Sequence, residues 1–149
     1  MLRSYRFTVW DKPIPLSRPR FARIAGGGVR TYTPRKDQDV RYNIRQAWLE
    51  LGVNLLQGPI RLTVTVMLPM PKMMAKKRRP EAVPVVRPDL DNYIKQVEDA
   101  LQGYAFADDK QVVTIEARKR YCGGWPETSE DERPRWEVKI EEIEIGGQD

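Results

Sequence analysis

Residues 87–113, RPDLDNYIKQVEDALQGYAFADDKQVV, decide how this chain is read. Leu90, Ile94, Val97 and Leu101 recur at three- and four-residue steps, the spacing of an apolar stripe along a helix. Gly103 stands where a helix end favours a left-handed residue, so a helix starting between Asp89 and Asn92 is predicted. Beyond a short loop, Val113, Ile115 and Ala117 alternate with polar residues and predict a strand. The same stretch gathers six acidic side chains, Asp89, Asp91, Glu98, Asp99, Asp108 and Asp109, within 21 positions.

Working outward, Ile60, Leu62, Val64, Val66 and Leu68 alternate with Arg61, Thr63, Thr65 and Met67, the clearest strand of the chain. Tyr5, Phe7 and Val9 near the start, and Trp136, Val138 and Ile140 near the end, repeat that period of two. Between them, Val40, Ile44, Ala47, Trp48, Leu51 and Leu55 share a helical face. Thr33-Pro34 reads as its N-cap and first position, and Gly58-Pro59 as its stop. Gly26-Gly27-Gly28 lies between two short apolar segments and predicts a hairpin or a mobile loop. Residues 69–88 carry too much proline and charge for a core element and read as a long basic loop. A polar connection covers 122–134. The expectation is one domain over residues 1–149, of the α/β (α+β) class, with a small mixed β-sheet and two main helices.

Composition excludes much chemistry. With no histidine, Ser-His-Asp and Cys-His nucleophiles and HExxH zinc sites are impossible. A single cysteine, Cys122, excludes an intrachain disulfide, and no Cys/His set has zinc-ligand spacing. No apolar run is long enough to span a bilayer, and no signal-like apolar segment opens the chain; a cytoplasmic protein with no membrane partner is the expectation by default. Catalysis would therefore rest on carboxylates, lysine, arginine, tyrosine or a bound metal. Residues 1–86 carry 17 Lys/Arg against 5 Asp/Glu, whereas residues 87–149 carry 9 against 16. A basic half of that strength points to a phosphate-rich partner, although a merely solvated surface gives the same count.

The acidic stretch has a sharp reading and a plain one. Carboxylates converging from the helix start and from Asp108-Asp109 would hold magnesium, which takes oxygen ligands and retains several waters. Such a site stabilises charge developing on a phosphodiester, with a lysine such as Lys95 on the phosphate or the attacking water. A helix N-terminus favours keeping the aspartates ionised. A strand returning along the helix would bring Asp109 back towards Asp89 and Asp91. Against this, Asp89 or Asp91 alone serves as an N-cap, and Asp91 with Lys95 as an exposed helix pair. Asp108-Asp109 alone is ordinary turn chemistry.

Taken whole, Asp89-Leu-Asp91-Asn92-Tyr-Ile-Lys95, Asp99-Ala-Leu101 and Asp108-Asp109-Lys-Gln111-Val112 resemble the RusA family of Holliday junction resolvases, especially its phage and prophage members. SRPRFARIAGGGVRTYTPRKD (17–37) is similar to the basic segment and helix entry of those members, and the loop PKMMAKKRRP (71–80) fits as well. The resemblance implies a homodimeric crossover junction endodeoxyribonuclease acting on branched DNA, the four-way junction, by paired symmetric phosphodiester hydrolysis in recombination and repair. It implies magnesium, with manganese as a substitute. It implies Asp89, Asp91, Lys95 and Asp109 as catalytic residues. Asp89, Asp91 and Asp109 are the implied metal ligands, with Asp108 as an additional candidate. Arg18, Arg20, Arg23, Arg35 and Lys36, and then Lys76, Lys77, Arg78 and Arg79, are expected on the DNA backbone, where contacts position rather than read sequence. A solvated loop is the other reading of 76–79. Tyr32 and Trp10 are expected to pack rather than stack on bases. The rival functions are a nuclease selective for forks or flaps, and a non-catalytic binder of branched or single-stranded DNA.

Overall fold

A computed structural model of the protein describes residues 3–17, 20–32, 34–70, 84–85, 88–122 and 133–143. Strands β1 (Arg3–Val9), β4 (Ile60–Pro69), β5 (Val112–Cys122) and β6 (Arg135–Glu142) form one mixed sheet in the order β1-β6-β4-β5. β6 runs antiparallel to both β1 and β4, whereas β4 and β5 are parallel. That parallel pair needs a crossover, and the crossover carries helix α2 (Leu90–Leu101). A separate two-stranded hairpin joins β2 (Arg20–Arg23) to β3 (Val29–Tyr32) across three glycines with positive φ, and leads into helix α1 (Arg35–Leu49). The fold is α+β, as the sequence predicts.

The period-two strands present Phe7, Val9, Ile60, Leu62, Val64, Val66, Trp136, Val138 and Ile140 to the helices. Val40, Ile44 and Trp48 of α1, with Ile94, Val97 and Leu101 of α2, close the same core. Tyr5 and Phe7 pack edge-on against Trp48, and Tyr93 packs edge-on against Trp136, pinning each helix to the sheet through an aromatic pair.

Two expectations are corrected here. Helix α1 does not run to Gly58: Glu50 is its C-cap, Gly52 turns left-handed at φ 67°, and Leu51 and Leu55 are exposed. Pro34 is its N-cap, and Thr33 lies outside the described residues. Strand β5 forms, but with its apolar residues partly outward. A register irregularity lets Ile60 pair with Val112 and Arg61 with Thr114, so Val113 is skipped and exposed; Ile115 pairs with the core residue Leu62 but is exposed at the edge of the sheet.

The two helices run side by side in the same direction. Asp37 and Arg41 meet Gln96, Arg41 also meets Asp99, Arg45 donates to the Ala100 carbonyl and Trp48 to the Tyr104 carbonyl. A polar network is buried in this seam. The Gln96 Nε2 donates to Asp37 Oδ1 at 3.0 Å and to the Ile14 carbonyl at 3.4 Å, while Arg41 Nε donates to Gln96 Oε1 at 3.1 Å. Asp37 and Gln96 are fully buried. The Leu16 amide bonds the Asn92 carbonyl and the Ser17 amide bonds Asp37, so the segment after β1 is laced to the first turns of both helices.

Candidate active site

Asp89 is the N-cap residue of α2, with extended backbone at φ −70° and ψ 148°, yet its side chain makes no capping hydrogen bond. Its carboxylate is exposed, so simple capping does not account for it. Asp91 follows in the first turn, also exposed. Asp91, Lys95 and Glu98 are spaced four and then three residues apart and share one face of α2, flanking the stripe of buried Ile94, Val97 and Leu101. Among the described residues Asp91 and Lys95 form no ion pair with each other, which leaves both heads available.

Asp108 and Asp109 are set by a tightly bonded turn. Asp109–Gln111 is one turn of 3-10 helix with Asp108 as its N-cap. Asp108 Oδ1 accepts from the Lys110 amide at 3.0 Å, which, together with the neighbouring Asp109 side chain, holds the Asp108 carboxyl below its usual range. Gln111 is the clamp. Its Oε1 accepts from the Ala107 and Asp108 amides at 2.8 and 3.1 Å, and its Nε2 donates to the Leu56 and Gly58 carbonyls at 2.9 and 3.1 Å. One amide thereby fixes the aspartate turn to the chain that enters β4. Sequence reading placed Gln111 in a motif without giving it a task; a side chain with two donors and two acceptors to satisfy is the signal that was there.

Asp109 faces α2. Burial raises the Glu98 carboxyl above the usual carboxylate range; the Lys95 ammonium lowers it, and the charges of Asp109 and then Asp99 raise it further. Lys95 and Asp109 therefore each act on Glu98, whereas Asp99 is tied to Arg41 at 3.4 Å. β5 then runs back along α2 in the opposite direction, so that Lys119 Nζ donates to the Pro88 carbonyl at 3.1 Å, beside Asp89. The returning strand thus brings Lys119, not Asp109, to the helix start. Asp109 precedes the strand and stands opposite the middle of the helix. Among the described residues no group of three or more acidic side chains is close enough to hold a metal ion.

Donor chemistry nevertheless fits a hard divalent cation. Asp89 and Asp91 offer only carboxylate oxygen, exposed and with no hydrogen-bond or ion-pair partner among the described residues, at a helix start, and magnesium is commonly held by one or two carboxylates with waters and substrate phosphate. Glu98, acted on by the opposite charge of Lys95 and the like charge of Asp109, marks a second charged station further along α2.

The predicted basic residues are distributed as follows. Arg35 and Lys36 are exposed in the first turn of α1, and Arg23 is exposed at the end of β2. Because α1 and α2 run in parallel, Arg35 and Lys36 lie at the end of the molecule where α2 begins. Arg18 and the loop residues Lys76, Lys77, Arg78 and Arg79 lie outside the described residues, as does the side chain of Arg20. Trp10 and Tyr32 lie outside the core and are partly exposed, and Trp10 packs against the Arg133 and Arg135 guanidiniums.

A protein-family model described as Endodeoxyribonuclease RusA matches residues 11–141, which include the acidic stretch and its Gln111 clamp. The uncharacterized protein YqaN of Bacillus subtilis (strain 168) is similar to this chain, 34% identical over 146 residues that span 93% of this chain and 96% of that protein.

Proposed function

This chain belongs to the RusA family of endodeoxyribonucleases, and from that premise we propose that it resolves four-way DNA junctions by metal-assisted hydrolysis of a phosphodiester in each of two opposed strands. The observation that carries the reading is the pair of exposed, uncapped carboxylates, Asp89 and Asp91, at the start of α2. They stand at the same end as the exposed basic start of α1, where a polyanion is drawn in.

In this reading Asp89 and Asp91 hold a magnesium ion, for which manganese would substitute. Such an ion, when bound, supplies positive charge against the scissile phosphate. Lys95, one turn beyond Asp91, places its ammonium on a non-bridging phosphate oxygen or on the attacking water. Asp109, whose charge acts on Glu98, would add its carboxylate to the acidic face of α2. Gln111 is a positioning residue for the Asp108-Asp109 turn. Two symmetric cuts call for two copies of the site, and a homodimer matches its two-fold axis to that of the junction. β5, an edge strand with exposed Val113 and Ile115, is the surface proposed for the second copy. Recombination and repair of branched DNA would be the setting.

The test is a labelled synthetic four-way junction incubated with wild type and Asp91→Asn, in magnesium or in EDTA, beside flap and fork substrates. Paired symmetric nicks that need both magnesium and Asp91, with junction binding kept or tightened in the variant, are expected. Cutting retained by Asp91→Asn would sink the site assignment. Preferential cutting of flaps would replace the junction reading with its nearest rival.

A further inference from the structure

Trp10 follows β1 and is 44% exposed, an unusual place for a large ring to be left by packing alone. Two guanidiniums lie over it: Arg133 at 4.3 Å and Arg135 at 5.5 Å from the ring centroid. They differ in what else they do. Arg135 Nε donates to Glu137 at 3.1 Å, and its Nη1 donates to the Arg133 carbonyl at 3.2 Å, so Arg135 belongs to the fabric of β6. Arg133 is exposed, and among the described residues no carboxylate pairs with it. By contrast, the Arg45 guanidinium over Tyr104 is tied down by the Ala100 carbonyl, an arrangement that only packs two elements together.

The position of this cluster can be read off the sheet. Val9 pairs with Trp136 across β1 and β6, Met67 pairs with Arg135 across β4 and β6, and Met67 pairs with Arg120 across β4 and β5. Trp10 and Arg133 therefore lie at the same end of the sheet as Lys119, which touches Pro88 beside Asp89. Tyr93 of α2 packs on Trp136 at 5.9 Å beneath that end. The cluster lies on the sheet face turned away from the helices, because Val9 beside Trp10 points into the core and Arg135 bonds Glu137 on the outer face; from β1 to β5 are three strand spacings of about 4.8 Å, so about 15 Å separates those two strands across this end of the sheet. That is roughly four base pairs of duplex at about 3.4 Å each.

We propose that Trp10 and Arg133 form a phosphate grip for the backbone of the duplex arm that leads into the acidic site. The indole holds the guanidinium over its face, a contact that restricts a mobile side chain without consuming its N–H donors. Those donors fork onto phosphate oxygens, a geometry that guanidinium provides and ammonium does not. The grip carries no base readout: it sets where along the arm the acidic residues meet the strand. It rests on the reading of the chain as a DNA-cutting enzyme and adds a contact beyond the basic residues that the sequence suggests. The acidic run 127–132 that precedes Arg133 lies outside the described residues.

The test is fluorescence anisotropy of a labelled four-way junction and of a linear duplex, in EDTA to prevent cutting, across a potassium chloride series. Wild type, Arg133→Gln and Trp10→Leu are compared. Arg133→Gln is expected to weaken both substrates about five- to ten-fold at 0.1 M salt and to flatten the slope of log Kd against log salt by about one. Trp10→Leu is expected to weaken binding in the same direction, with less loss of slope because the charge remains. Arg133 is exposed and makes no side-chain hydrogen bond to the described residues, so its variant folds even if Trp10→Leu does not. Unchanged affinity and slope in Arg133→Gln would overturn the grip while wild-type binding and cutting leave the nuclease reading intact. A wild type that binds neither substrate would overturn both.

Discussion

Gln96→Leu tests the seam that orients α2. Leucine nearly matches glutamine in volume, so no large cavity opens and the effect is one of hydrogen bonding. The substitution deletes the 3.0 Å bond to Asp37 and the 3.1 Å bond from Arg41, both with a charged partner, and the weaker 3.4 Å bond to the Ile14 carbonyl. Asp37, fully buried, is left with the Ser17 amide at 3.3 Å for one oxygen, and its Oδ2 already has no partner among the described residues. Arg41 keeps Asp99 and is partly exposed, so its loss falls at the low end. A hydrogen bond to a charged group contributes about 1.5–3 kcal/mol, and the whole change should cost about 3 kcal/mol. For this chain length that is about 10 °C in Tm. Urea unfolding at pH 7 should show a lower midpoint with an unchanged slope. Asp37→Leu combined with Gln96→Leu should recover at least half the loss, because removing both partners leaves no stranded carboxylate. A Gln96→Leu protein within about 0.5 kcal/mol of wild type, or a double variant as costly as the two singles added together, would refute this account.

Gln111→Leu strips all four bonds of the aspartate clamp and should lower the cleavage rate about 10- to 100-fold while the junction Kd stays near wild type; single-turnover rates at saturating enzyme check it, and an unchanged rate counts against it. Glu98 has a raised carboxyl, so the native state holds a proton that the unfolded chain has released, and stability falls as pH rises from the unfolded value of about 4.3 through the folded one. In EDTA, Glu98→Gln should therefore melt higher than wild type at neutral pH, with the difference closing below pH 4; parallel melting curves at every pH would contradict it. Gly103 sits just beyond α2 at φ 86° with open space around it, so Gly103→Ala should cost about 1 kcal/mol from backbone strain alone, measured by thermal melting.

Much of this architecture is legible in the residues. The strands β1, β4 and β6 follow from alternation because one face of each is buried against helices and the other is not. The α2 stripe and its Gly103 stop are equally plain. In β5 only Val113 departs from the alternation: Ile115 and Ala117 pair with the core residues Leu62 and Val64, and periodicity does not reveal a skipped residue. α1 misled because Leu51 and Leu55 continue the helical period past Gly52, where the backbone has already turned left-handed. In the site, residue types and motif were legible but distances were not. Spacing along the chain did not say that Asp109 would face Glu98 while Lys119 reached the helix start. Asp37 and Gln96, 59 residues apart, interrupt apolar faces, and each makes sense only with the other.

The parallel course of α1 and α2 has an outcome for the approach to DNA. Both helices present their amide-rich ends at one pole, so two partial positive charges, each equivalent to about half an elementary charge, add there instead of cancelling. Arg35 and Lys36 stand at that pole, and the Trp10–Arg133 pair lies at the end of the sheet where α2 begins. A molecule polarised in this way turns its working end towards a polyanion before contact, so a larger share of collisions is productive. The advantage would appear in the association rate and fade with added salt, while the dissociation rate reports the contacts themselves.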